Sequence, residues 1–322
     1  MTTYPLILKP ALKSSIWGGN RLKNEFRYDS KDIVAEAWVL SCRADGAATI
    51  QNGALKGKTL DKAIALWGVG VLGKNAVSFS QFPMLIKLID ARDKLSVQVH
   101  PDNDYAQRVE GEAGKTEMWY VVDCNPGAKL IFGFNKNLTK GEFRSHIENG
   151  SLLDVCNFVP VKKGDVFFIE AGTLHAIGDG ILIAEVQQNS DITYRVYDYD
   201  RRDSNGNPRQ LHIEKAVDVT NTSMACVNQN CCKTETIDGG TIKTLAHCEY
   251  FTSCLLTVNN TMTIKNLDSF CSLLNLEGEC TLNTENTKIE LTKGSSIFLP
   301  AGMGAQIISK SKQPAKILYS YI

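Results

Sequence analysis

The 322-residue sequence has no net charge, because 35 Lys and Arg balance 35 Asp and Glu. Without a cationic field, a nucleic-acid or anionic-membrane surface is not expected. A secretory signal is not expected either. The opening MTTYPLILKPALKSS carries only a four-residue apolar patch before Lys9, too short for a signal-peptide core. The longest apolar stretches, such as residues 180–184, fall far short of a bilayer span. Cysteine is plentiful at ten residues, yet none are in C-x-x-C spacing, and the closest pair is the adjacent Cys231-Cys232. Neighbouring cysteines rarely bridge, so free thiols and a cytoplasmic location are expected. The N-x-S/T matches at Asn137, Asn221 and Asn259 then carry no glycosylation. There is no Gly-rich phosphate loop, nucleophile elbow or dinucleotide fingerprint, which leaves kinase, hydrolase and dehydrogenase readings unsupported.

What is present reads as a globular chain, 43% hydrophobic and 22% charged, long enough for two domains or one large one. Short alternating segments dominate. Strands are expected at 94–100, 117–122, 130–134, 165–169, 181–187, 192–197, 270–276, 289–291, 296–299 and 317–321. Helices are few: 60–66, 103–109 and 140–148, the last opened by the capping box Thr139-x-x-Glu142, with Phe143 and Ile147 on one face. The fold class is therefore mainly β, a sandwich or barrel with a few short helices inserted in the N-terminal part.

An internal repeat refines this. Residues 163–177 (KGDVFFIEAGTLHAI) align without gaps to residues 293–307 (KGSSIFLPAGMGAQI), with six of fifteen positions identical. Each copy reads as a turn glycine, a strand, a second turn at Gly172 or Gly302, and a new strand. Two β-turn-β units can resemble each other by chance; the other reading, and the expected one, is duplication of one β-barrel domain. His175 in the first copy faces Ala305 in the second, so one half is expected to work and the other to support. The Asn/Thr/Cys-rich stretch 221–234 is the candidate linker, dividing the chain into domains 1–232 and 233–322.

Strand alternation places Ser96, Gln98 and His100 on one face, with Leu95, Val97 and Val99 on the other. Lys115, Glu117 and Trp119 share a face by the same rule, and a barrel would return His175 towards the same cavity. Gln98, His100, Glu117 and His175 thus form a candidate metal site. Two imidazoles, one carboxylate and one amide oxygen suit zinc, and equally iron(II) or manganese. Such a set leaves a divalent ion with residual positive charge for an anionic oxygen. His146, His212 and His247 are expected to be exposed or hydrogen-bonded residues of no special role.

The segment Gly164-x5-Glu170-x-Gly172-x2-His175 resembles the second motif of cupin barrels, with Glu170 where proline is usual; the C-terminal copy has Pro300. More specifically, Ile16-Trp-Gly-Gly19, Glu36-Ala-Trp38, residues 82–87 (FPMLIK), 95–102 (LSVQVHPD), Gly114-Lys-Thr-Glu117, 171–175 (AGTLH) and 185–195 (EVQQNSDITYR) resemble the shorter form of type I mannose-6-phosphate isomerase, in family order. The resemblance implies two cupin (jelly-roll) domains, the second degenerate and without metal ligands. It implies one Zn2+ per chain on Gln98, His100, Glu117 and His175. It also implies an aldose–ketose isomerase that interconverts mannose 6-phosphate and fructose 6-phosphate. Its catalytic arginine maps to Arg195 and an acidic residue to Glu185, while Lys115, Trp17 and Glu36 match pocket positions. Phosphate-binding positions map to Ser96 and Lys87, and a basic position to Arg201, where lysine is often found.

Isomerisation moves a proton between C2 and C1 through an enediolate, and so needs a base and an electrophile. A divalent ion with an open position suits the second role, and Arg195 would add charge stabilisation without titrating. Glu185, on the face of Ile181 and Ile183, is expected to have a raised pKa if that face lines a dry cavity. Glu185, Lys115 and a metal-held water all remain candidates for the base. Two rivals stand beside the isomerase. One is a non-haem iron dioxygenase using His100, Glu117 and His175, against which Gln98 counts as an extra ligand. The other is a non-catalytic sugar-binding cupin. The partner is a small hexose phosphate rather than nucleic acid or membrane, and the chain is a monomer or homodimer.

Overall fold

The computed structural model of the chain describes residues 2–202, 205–226, 232–265, 268–310 and 313–322. Cys231 and residues 227–231 of the expected linker lie outside the described residues. Among the described residues, four antiparallel sheets are stacked in sequence. A five-stranded sheet runs Tyr194–Tyr197, Val97–Val99, His175–Ala176, Lys129–Phe134, Cys156–Pro160. It faces a six-stranded sheet of Val166–Ile169, Glu117–Cys124, Ile181–Gln188, Met84–Ala91, Glu36–Leu40 and Ala11–Lys13. Behind that lies an eight-stranded sheet, and behind it a four-stranded one, both built mostly from residues after 233.

Alternation along the central strands explains the stacking. In Ile181–Gln188, Ile181 and Ile183 enter the cluster inside the front barrel, with Trp119, Val121 and Ile89. Leu182, Ala184 and Val186 point the other way, into a second cluster shared with Phe298, Leu274 and Leu318 of the eight-stranded sheet. Both faces are covered, so every residue of Met84–Ala91 and Ile181–Gln188 is buried. Glu117, Glu185 and Lys87 therefore project into the front barrel by parity alone.

The join between the barrels is tight. Phe298 is fully buried and stacks on Phe270 at 5.4 Å. Phe298→Ala should cost about 3–5 kcal/mol of unfolding free energy by urea titration; a loss below about 1 kcal/mol would mean that the two barrels do not share a core. The N-terminal strand Leu6–Lys9 pairs with Ser296–Leu299, so the first residues of the chain are hydrogen-bonded into the sheet of the second barrel.

The repeat is structural. Val166–Ile169 and Ser296–Leu299 occupy equivalent alignment positions, preceded by Gly164 and Gly294, both at φ +90°, and followed by Gly172 (φ +86°) and Gly302 (φ +74°). Such positive φ values favour glycine, because a Cβ would clash. The three expected helices are found at Leu60–Trp67, Asn103–Val109 and Lys140–Glu148, the last with its capping box formed. Ile213–Val219 is a further helix with no strong sequence signal. The expected strand 94–100 is shorter, covering only Val97–Val99. Leu95 consequently leaves the Val97/Val99 face and packs with Trp17 and Trp119 in the barrel interior. Within the candidate linker, Asn221 N–H donates to Gly172 O and Ala225 N–H to Phe134 O, tying residues 221–225 to the front barrel.

Candidate metal centre and active-site cavity

Three strands bring the donor groups together. His175 is paired in register with Gln98 on one side and Phe132 on the other. Glu117 opens the strand that pairs with Ile181–Gln188, opposite Gln187. His100 follows Val97–Val99 directly. Each ring is fixed by a backbone carbonyl: Nδ1 of His100 donates to Ile192 O at 2.7 Å, and Nδ1 of His175 to Thr173 O at 2.8 Å. A carbonyl can only accept, so both protons sit on Nδ1 and both Nε2 lone pairs face inward.

Those lone pairs converge on one carboxylate. Nε2 of His100 lies 3.6 Å from Glu117 Oε2, and Nε2 of His175 lies 3.4 Å from Glu117 Oε1. Donor atoms of His100, Glu117 and His175 all lie within 4.8 Å of one another, and all three side chains are buried. The Gln98 amide approaches His175 Nε2 at 3.4 Å. Lys115 Nζ lies 3.1 Å from both His100 Nε2 and Glu117 Oε2. Neither Glu117 oxygen accepts a well-directed hydrogen bond, although both are buried.

Burial sets the protonation states. It drives His100 well below the ordinary histidine value, and Lys115 and His175 add to the effect. Burial also lowers His175 to about 4. Both imidazoles are neutral at pH 7, the form that ligates a metal. Burial and the neighbouring Glu185 charge raise the Glu117 pKa against the pull of Lys115. Glu185 goes the other way. Burial alone would raise it, but Lys115, Lys87 and a hydrogen bond from Trp119 Nε1 (2.8 Å) to Oε2 outweigh that, so its pKa is lowered. The expectation of a raised Glu185 value is thus corrected: the carboxylate is buried, but two ammonium groups, Lys115 and Lys87, act on it.

A cavity of about 310 Å³ opens beside this cluster. Its walls include Trp17, Glu36, Lys87, Ser96, Gln98, Lys115, Glu185 and Arg195, eight residues expected from the sequence. Lys87 Nζ sits among Glu36 (3.8 Å), Glu185 (3.6 Å) and Asp191 (3.6 Å), and 5.0 Å from the centre of the Trp38 ring. Arg195 Nε donates to Ser96 Oγ at 3.2 Å and Nη1 to Gln210 O at 3.1 Å. Arg201 is not among the wall residues. It is bound by Asp198 and by the Lys94 carbonyl. Arg209, Lys13, Asp191 and Thr193 do line the cavity and were not expected. Arg209 carries no motif; its only sequence signal is its place eight residues beyond Arg201. The other histidines are as expected: His146 bonds Ser151 and His247 bonds Thr252, while His212 accepts the Arg195 N–H.

Asp198 braces the loop beside the cavity. Burial would raise its pKa, but hydrogen bonds from Arg209 and Arg201 prevail and hold it below 3.8. A depressed carboxyl contributes stability that is present in full above 3.8 and is lost as the pH falls through the folded-state value. Asp198→Asn should therefore cost about 2 kcal/mol at pH 7. The gap from wild type, followed by urea unfolding, should shrink in acid; a gap that does not change with pH would deny Asp198 this role.

Two stacked jelly-roll barrels, of which, among the described residues, only the front one holds a buried His–Glu–His cluster, define a bicupin with a candidate metal centre in its front half. Family descriptions agree. That of the phosphomannose isomerase type I catalytic domain matches residues 6–125, and that of the mannose-6-phosphate isomerase cupin domain matches residues 241–314. The mannose-6-phosphate isomerase ManA of Bacillus subtilis is 38% identical over 306 residues, covering 94% of this chain and 95% of that protein. The mannose-6-phosphate isomerase of Streptococcus mutans is 47% identical over 220 residues, 67% of each chain. The crystal structure of a B. subtilis mannose 6-phosphate isomerase superposes with a TM-score of 0.91 at 38% identity, over 99% of this chain and 100% of that one. The chain belongs to the type I phosphomannose isomerase family and is an isomerase.

Proposed function

We propose that the chain interconverts mannose 6-phosphate and fructose 6-phosphate in the front-barrel cavity, using one zinc ion per chain held by Gln98, His100, Glu117 and His175. The observation that carries this reading is the convergence of two neutral imidazoles and a carboxylate without well-directed hydrogen bonds onto one point beside Glu185, Lys115 and Arg195. The donor set fits a small divalent ion. One donor atom from each of His100, Glu117 and His175 lies within 4.8 Å of the other two, close enough for one small ion to reach all three. Bound there, the ion supplies Lewis-acid stabilisation to the substrate oxygens.

The remaining chemistry belongs to the side chains. Glu185 is ionised at neutral pH, Trp119 holds its Oε2, and its Oε1 has no hydrogen bond, which leaves Oε1 to take a proton from C2 and return it to C1. Arg195 stabilises the enediolate oxygen as a fixed cation, and Lys115 positions the substrate oxygens beside His100 and Glu117. Trp17 and Glu36 flank the sugar. Residues 1–232 form the catalytic unit and 233–322 its support, since Ala305 stands at the position matching His175 and is buried in the second core. Among the described residues no helix is long and apolar enough to cross a membrane; a cytoplasmic enzyme acting on a small hexose phosphate is the reading we adopt.

Metal analysis paired with an assay of mannose 6-phosphate conversion tests this. The expected result is a single zinc per chain, activity lost on chelation and restored by zinc. Full activity in protein stripped of metal would overturn the reading.

A further inference from the structure

The cavity is electrically lopsided. At one end a single ammonium, Lys87, lies within 4 Å of three carboxylates, Glu36, Glu185 and Asp191. Counted as formal charges, that end has an anionic excess; a divalent ion with Glu117 and Lys115 would bring it to neutrality but not to a cationic excess. Near Arg195 the balance is reversed. Three guanidinium groups, Arg195, Arg201 and Arg209, act on one another around one carboxylate, Asp198. Asp198 is nearly buried and cannot neutralise three cations.

How those arginines are tied decides which can take a ligand. Arg201 is spent: Nε bonds Asp198 O, Nη2 bonds the Asp198 carboxylate, and Nη1 bonds Lys94 O. Arg209 is gripped on one edge only, Nε to Asp198 Oδ2 at 2.8 Å and Nη2 to Oδ1 at 2.5 Å. Its Nη1 has no partner among the described residues, and the residue lines the cavity. Ser96 Oγ already accepts from Arg195, so its own proton is free for a second acceptor, and Ser96 also lines the cavity. The loop that sets this up is strained: Tyr199 and Asp200, directly after Asp198, have φ values of +56° and +52°. Consecutive non-glycine residues in that region persist only where their surroundings hold them.

We infer that Arg209, positioned by Asp198, seats the dianionic phosphate of the substrate together with the Ser96 hydroxyl, and that Lys87 and its three carboxylates face the sugar hydroxyls instead. The inference rests on the proposed sugar-phosphate reading of the cavity and fixes the direction in which the substrate lies. It reassigns two expectations. Lys87 is too closely surrounded by anions to attract a dianion, and Arg201 acts as a strut that helps hold Asp198.

Kinetics with mannose 6-phosphate, and inhibition by inorganic phosphate followed alongside direct calorimetric binding of phosphate to the zinc-loaded enzyme, test it. Arg209→Gln should raise KM and weaken phosphate binding by a similar factor, roughly ten- to a hundredfold, with kcat within about threefold. Arg209→Lys should recover part of the loss, which a variant that merely misfolds would not do. Arg201→Gln should weaken phosphate binding less than Arg209→Gln. Phosphate binding that is unchanged in Arg209→Gln, or lost more in Arg201→Gln or Lys87→Met, would overturn the inference. The underlying reading fails separately. If wild type binds phosphate through Arg209 but does not convert mannose 6-phosphate, the anion seat stands and the isomerase assignment falls; if wild type converts the sugar with Arg209 indifferent, only the seat is wrong.

Discussion

His175→Ala is expected to leave the purified protein without its divalent ion and to lower turnover by roughly a thousandfold or more. The side chain is fully buried, its Nδ1 is committed to Thr173 O, and its Nε2 points at Glu117. Removing it takes away one of two imidazoles and leaves a cavity that the surrounding strands cannot close. Folding should survive, because the ring makes two ring contacts, tilted against His100 at 4.8 Å and edge-on to Trp119 at 5.3 Å, and closes no large apolar cluster. A cooperative thermal transition in the variant would separate loss of metal from loss of structure. His175→Ala that still binds a stoichiometric ion would mean that the ligand set is wrongly assigned.

Arg195→Ala should behave differently. Its guanidinium touches Ser96 and Gln210 but none of His100, Glu117 or His175, so metal content should be unchanged while kcat drops roughly a hundred- to a thousandfold. Arg195→Lys should recover little, because an ammonium cannot hold Ser96, Gln210 and the substrate oxygen in one planar fork. An Arg195→Ala variant with unchanged kcat and raised KM would move this residue from the reacting oxygen to the phosphate seat. The contrast with Arg209→Gln, expected to act on KM, makes the two arginines separable by kinetics alone.

Much of this is legible in the sequence, and the reasons differ by residue. The candidate ligands are readable because the side-chain period of a strand is two, which puts Ser96, Gln98 and His100 on one side and Lys115 and Glu117 on another. The repeat located His175, and its four glycines keep their left-handed backbone in both copies. The strand Met84–Ala91 was not marked as such, because both its faces are covered and its eight residues show no alternation. Leu6–Lys9 is short, and its partner Ser296–Leu299 lies almost three hundred residues away, a pairing that no local pattern encodes.

The electrostatics were the least legible. A low pKa for Glu185 depends on Lys87 and Lys115 arriving from two other segments of chain, and neither neighbour is visible from the alternation of residues 181–187. Arg209 was missed for the same reason. Its role depends on Asp198 gripping one edge of the guanidinium across a loop with unusual backbone angles, whereas Arg201 matches the family's basic position six residues beyond Arg195. Contacts of this kind are made by tertiary folding and leave no spacing to read.

The most direct test of the central claim is zinc-edge X-ray absorption on the purified, zinc-loaded protein. The account predicts a single four-coordinate ion with only nitrogen and oxygen neighbours at about 2.0–2.2 Å and an imidazole scattering pattern that requires two histidines. Sulfur neighbours at about 2.3 Å, which the ten cysteines of the chain could supply, or an ion without imidazole scattering, would contradict it.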